Sequence, residues 1–136
     1  MGLVYQDIRL ANAARADLED IDANALVDSG AVDLCIPELV AKQLRLEKFE
    51  ERMITVADGR RVIVDYVGPV RVEVFGRSAF TGALVTGDQV LLGAIAMEAM
   101  DVLIDPRRQQ LIPNPAHPNI PGAMAVGVRT VPEDER

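Results

Sequence analysis

The segment Ala25-Leu26-Val27-Asp28-Ser29-Gly30-Ala31 holds the residues of this chain best suited to chemistry. An apolar run delivers a carboxylate into a tight turn made by a small hydroxyl residue and a glycine. A strand end holds such an acid rigidly, and Gly30 lets the backbone and a partner approach closely. The Ser29 hydroxyl can tie the turn down by hydrogen bonding, and the whole suits a buried acid. The same three residues are also ordinary turn material. By composition alone an Asp-Ser/Thr-Gly triplet falls by chance in roughly one chain in fifteen of this length, so it gains weight only from its surroundings.

Other chemistries find less support. His117 is the only histidine and lies in a Pro-rich stretch, so a Ser-His-Asp or Cys-His arrangement would hang on one residue outside the patterned part of the chain. Cys35 is alone, which rules out an intrachain disulfide and fits a reducing cytoplasm. Its neighbours Leu34 and Ile36 make it read as a buried, inert thiol. No Cys/His cluster has zinc spacing, Asp101 and Asp105 read as solvated carboxylates in or beside a strand, and no phosphate or dinucleotide loop is present. Neither a metal nor a cofactor is expected.

The elements that must position Asp28 are mostly strands. Leu3–Leu10 and Ile21–Val27 read as two strands joined by a polar stretch, and Pro37–Leu44 as a short helix opened by its proline. Asp58-Gly59 stands between Met53–Val56 and Arg61–Tyr66, a strong hairpin signal because glycine accepts the positive φ of such a turn. Val70, Val72 and Val74 alternate with Arg71 and Glu73, and Ser78–Val85 follows as another strand. Leu91-Leu92-Gly93 leads into a helix over Ala94–Met100, and Val102–Ile104 and Gln110–Ile112 flank a closing hairpin. Residues 114–136 read as a largely irregular tail. The pattern predicts a mainly β domain with two short helices, closed or sandwich-like.

Composition bounds the partners. The 136 residues fit one domain, and its core must be aliphatic because tryptophan is absent. A net charge of −7 disfavours nucleic acid. No apolar run approaches a membrane span, no secretory signal is visible, and Gln6 stands where a myristoylation signal wants Ser or Thr. A soluble, cytoplasmic protein without membrane contact is expected.

In three features taken in order, the sequence resembles the retroviral-like (retropepsin-type) clan of aspartic proteases, most nearly its single-lobe bacterial and archaeal members. Asp28-Ser29-Gly30 matches the catalytic triplet, with Ala31 in its usual following place. Leu91-Leu92-Gly93 matches the element that precedes the clan's short helix and packs behind the catalytic loop. The hairpin at Ala57-Asp58-Gly59-Arg60 falls where the clan places its flap over the substrate. The resemblance spans about Leu3 to Ile112 and implies a protease domain over residues 1–113, a closed β-barrel of the acid-protease type with one lobe per chain. It implies Asp28 as the catalytic acid, paired with Asp28 of a second copy because the chain has only one triplet. Ser29 would then brace the two loops, and Asp33 could face the substrate. Val32 and Ala94 depart from the pattern, standing where retroviral members usually hold an Asp and an Arg that pair near the dimer interface. Losing both together is cheaper than leaving one charge buried alone.

Three readings follow: a homodimeric endopeptidase acting on a peptide or protein substrate, a dimeric peptide-binding module of the same fold that does not cleave, and a plain β-barrel interaction domain in which Asp-Ser-Gly is only a turn.

Overall fold

In the computed structural model, which describes residues 2–125, alternating and β-branched segments form strands that wrap into a ring. The elements are β1 Val4–Asn12, β2 Ile21–Val27, β3 Leu34–Ile36, α1 Glu38–Gln43, β4 Glu47–Thr55, β5 Arg61–Val74, β6 Arg77–Val85, β7 Leu91–Leu92, α2 Ala94–Met100, β8 Val102–Asp105 and β9 Gln110–Pro113. Strands take 49% and helices 10%, a mainly β chain as its alternation predicts.

Seven strands share one sheet in the order β1-β2-β7-β3-β6-β5-β4. β1 pairs also with β5, Leu10 opposite Val72 and Asn12 opposite Val70. That second pairing closes six strands into a barrel and leaves β4 outside it, as the far arm of a hairpin with β5. This is the mainly β, closed barrel with two short helices that the strand pattern predicts. Leu10, Leu34, Ile36, Val70, Val72 and Leu92 are fully buried in it, each contributing about 1.5–3 kcal/mol by leaving water. β8 and β9 make a separate two-stranded sheet.

β2 and α2 have the bounds read from the sequence. The runs Arg61–Tyr66 and Val70–Val74, read as two strands, are one strand of 14 residues. Its pairing with β6 shifts register between Val67 and Val70, and a bulge is where Gly68-Pro69 can sit without breaking a strand. β4 starts at Glu47 rather than Met53. Its first half is charged and exposed, as edge strands are, and so lacks the alternation that reveals a strand.

One buried side chain fastens α1. The Asn12 amide donates to the carbonyls of Leu44 and Arg45 at 2.9 and 3.3 Å, while its oxygen accepts from the Ala14 amide at 2.9 Å. The end of β1 thereby caps the C-terminus of the helix.

Asp101, read as solvated, is instead enclosed. It ends α2 with a left-handed backbone (φ 56°), and its side chain is 13% exposed. Asn114 Nδ2 donates to its Oδ1 at 3.0 Å, the Gly122 amide to its Oδ2 at 2.7 Å, and His117 Nδ1 lies 2.7 Å from the same oxygen. Arg77, also buried, donates to the Asp101 carbonyl at 2.8 Å and to the carbonyls of Met100 and His117. Residues 114–125 form no helix or strand, yet this knot fixes them to the end of α2. Residues 126–136 of the expected tail lie outside the described residues.

Candidate active site

β2 ends at Val27 and hands Asp28 to a turn supported from below. Leu26 and Val27 pair in parallel with Leu91 and Leu92, and the ladder continues as Leu26 N donates to Val90 O at 2.9 Å and Asp28 N to Leu92 O at 3.0 Å. Leu91 faces Cys35 of β3 on its other side. The short β7 is thus a splint between the two strands that enter and leave the Asp28 loop. Leu91 and Leu92 support the loop through backbone pairing, and the Leu92 side chain also fills the barrel core.

The turn closes on itself. Ala31 N donates to Asp28 O at 3.1 Å, and the Gly30 amide to Asp28 Oδ1 at 2.9 Å. The tie expected from the Ser29 hydroxyl is made by the Asp28 carboxylate, which leaves Ser29 exposed. Asp28 is exposed as well, against the sequence expectation of a buried acid. Asp28, Ser29 and Gly30 are all exposed, so no other described part of the chain covers the turn.

α2 is bolted to the same loop. Ala94 N donates to Ala31 O at 2.8 Å and Ile95 N to Val32 O at 3.0 Å. Gly93 makes the approach possible. A Cβ there would stand 2.5 Å from the Asp33 carbonyl, 2.8 Å from that of Val32 and 2.9 Å from that of Ala31. The requirement is one of closeness, since the φ of Gly93 is an ordinary −97°. The structure therefore brings together Asp28, Ser29, Gly30, Ala31, Asp33, Leu91, Leu92 and Gly93.

Ala57, Asp58, Gly59 and Arg60 lie elsewhere, at the tip of the β4–β5 hairpin. Val56 N donates to Arg60 O and Gly59 N to Val56 O, each at 2.9 Å, and Gly59 takes a φ of 88°. The Asp58 carboxylate accepts from the Arg60 amide at 3.0 Å and from its Nε at 2.7 Å, which holds its pKa below the usual carboxylate value. Nearer the base of the hairpin, the Arg52 guanidinium sits 3.8 Å from the centre of the Tyr66 ring and donates to Glu50 at 3.0 Å. That bond to Glu50 is the main reason its pKa is raised, with a smaller push from Asp33.

Cys35 is half-buried rather than buried, because it points away from the side that Leu34 and Ile36 send into the core. Burial, helped by Asp33, pushes its thiol pKa up. Val32 is 60% exposed. Among the described residues no group of three or more His, Cys, Asp or Glu could hold a metal ion, and no helix is long and apolar enough to cross a membrane.

Sequence reasoning missed Val90 as a support of the loop, and it missed the knot of Arg77, Asp101, Asn114 and His117. Val90 could have been found by extending the parallel ladder one residue. The knot joins residues up to 40 positions apart, and nothing local announces it.

No protein-family model matches the sequence, and no curated protein matches it. Among solved structures the chain is similar to the solution structure of the Simian Foamy Virus (mac) protease. The two share 20% identity with a TM-score of 0.47, over 68% of this chain and 91% of that one.

Proposed function

We propose that the chain is half of an aspartic endopeptidase, active as a homodimer in which Asp28 meets Asp28 of a second copy. The observation that carries this reading is the loop itself, an outward-facing carboxylate whose turn is held by β7 beneath it and by the first turn of α2 beside it. That much support for one exposed acid makes sense where its position is chemically decisive. The order of triplet, hairpin and Leu-Leu-Gly element supports the same conclusion.

Two carboxylates brought together across a two-fold axis do not both ionise readily, so the pair shares one proton. The ionised member takes a proton from a water held between them, and the protonated one polarises the scissile carbonyl. An extended peptide would lie between the loops and the two β4–β5 hairpins, with hairpin backbone available to pair with it. The axis would bring the two exposed Ser29 residues near each other.

The test is digestion of a peptide library by wild type and by Asp28→Asn from acidic to neutral pH, with oligomeric state followed alongside. Cleavage is expected from wild type alone. Asn keeps an oxygen for the Gly30 amide, so fold and dimer should survive while both the base and the shared proton are gone. Persistent cleavage by the Asn variant would sink the assignment. Dimers that cleave nothing would favour the binding-module reading.

A further inference from the structure

α2 is bonded at both ends to other parts of the chain. At its N-terminus no side chain caps it and no acid lies in its first turn. The first amides go instead to the Asp28 loop, Ala94 N to Ala31 O and Ile95 N to Val32 O. At its C-terminus the carbonyls of Met100 and Asp101 accept from Arg77, a buried cation at the negative end of the helix. Seven residues, about 10 Å of helix, separate the two attachments. Val32 and Ala94 can form no ion pair between loop and helix, so the charges that fix α2 are those at its far end.

That far attachment depends on residues 114–122. A buried guanidinium is stable only while its donors find acceptors, and one acceptor for Arg77 is the His117 carbonyl. The Asp101 carboxylate is drawn the same way. Asn114 Nδ2, the Gly122 amide and His117 Nδ1 surround it at 2.7–3.0 Å, while Arg77 Nη1 stands off at 3.8 Å. Without the segment Asp101 loses three partners and Arg77 loses one, and the nearest compensation is for each to turn to the other. The guanidinium then leaves the Met100 carbonyl, its longer bond at 3.3 Å, and the end of α2 is released.

We propose that Arg77, Asp101 and the strap Asn114–Gly122 position Asp28, with α2 as the strut between them. The knot sets where the helix sits along its axis. The helix in turn sets the Ala31 and Val32 carbonyls, which follow Asp28 in the same loop. These are positioning residues, acting through the helix rather than by contact with the carboxylate. The inference rests on the proteolytic reading for its effect on turnover, whereas its effect on the loop stands apart from cleavage.

Two variants of the full chain test this. In Gly122→Ala the new Cβ would fall 2.5 Å from His117 Nδ1 and 2.6 Å from Cε1, so strap and imidazole must part. Arg77→Met removes the buried cation and keeps most of its volume. Each is expected to speed amide exchange at Ala94 and Ile95 about tenfold relative to Val70 and Val72 in the barrel. Each should also lower kcat by about tenfold to a hundredfold at unchanged KM, the cost of shifting a reacting group by up to about an ångström. Arg77→Lys, which keeps the charge, should recover part of both. Asn12→Ala is the control: it removes the buried cap of α1 and should lower stability while leaving relative exchange and kcat as they were. Should Arg77→Met fail to fold, Gly122→Ala and Arg77→Lys decide by the same two readings. Faster relative exchange at Ala94 and Ile95 with no cleavage by any of the proteins, wild type included, would uphold the strut and overturn the protease. Unchanged exchange and kcat in the knot variants, or an Asn12→Ala that loses kcat as they do, would overturn the strut and leave the protease reading intact.

Discussion

The Ala94 amide donates to the Ala31 carbonyl across 2.8 Å, which makes the position of α2 and the position of the Asp28 loop a single variable. Gly93 is what lets the two approach, with three loop carbonyls inside 3 Å of where a Cβ would stand. Gly93→Ala must push them apart, and overpacking of this kind costs about 1–3 kcal/mol. The urea midpoint of the variant should fall with an unchanged slope, and peptide cleavage should fall with it. Unaltered stability would mean that the helix can slide away from the loop freely.

The β4–β5 hairpin should open and close on the barrel. Its tip is held by the Asp58–Arg60 contacts at exposed positions and by little apolar packing. Amide exchange at Ala57–Arg60 is expected to be fast in the free protein and to slow when a peptide binds, while Leu26 and Val27 stay protected throughout. Equal protection at the tip and in β2 without peptide would argue against a moving flap.

The Asp101 carboxyl is depressed from 3.8 to about 2, first by the Asn114 side chain, then by the Gly122 amide and His117. A pKa lower in the folded chain than in the unfolded one favours folding wherever the group is charged. Its contribution is therefore whole above about pH 4 and lost as pH falls toward 2. Asp101→Asn should be less stable than wild type at neutral pH, and the two urea midpoints should converge over that window. Asp17, also held at about 2 by Arg15, titrates alike in both proteins and drops out of the comparison. Parallel midpoint curves would show that the knot does not depend on the charge.

The barrel was legible where periodicity and turn chemistry agreed. β2, with apolar residues leading to Asp28, and α2, opened after Gly93 and ended before the apolar run Val102–Ile104, could be bounded from sequence because local signals mark both ends. β4 could not, since Glu47–Arg52 carries the charges of a free edge, and β5 was split in two at Gly68-Pro69 because a bulge and a break look alike without the partner strand. For the candidate site, Asp28 and its motif residues were readable and their support was not. That Leu92 would take the Asp28 amide, and that Arg77 would lie under the C-terminus of α2, depend on distances between segments that meet only once the chain has folded. Cys35 shows the same limit. Apolar neighbours suggested full burial, but alternation in β3 turned it to the other side.

β7 gives the loop a history as well as a position. The strands on either side of Asp28 are not paired with each other; each is joined to Leu91 or Leu92, more than fifty residues later in the chain. During synthesis the Asp28 turn therefore has no splint until Leu92 has emerged, and contacts so distant in sequence form late. The carboxylate is made early but set in place among the last steps of folding, so a partial chain carries the residue without the turn that fixes its position.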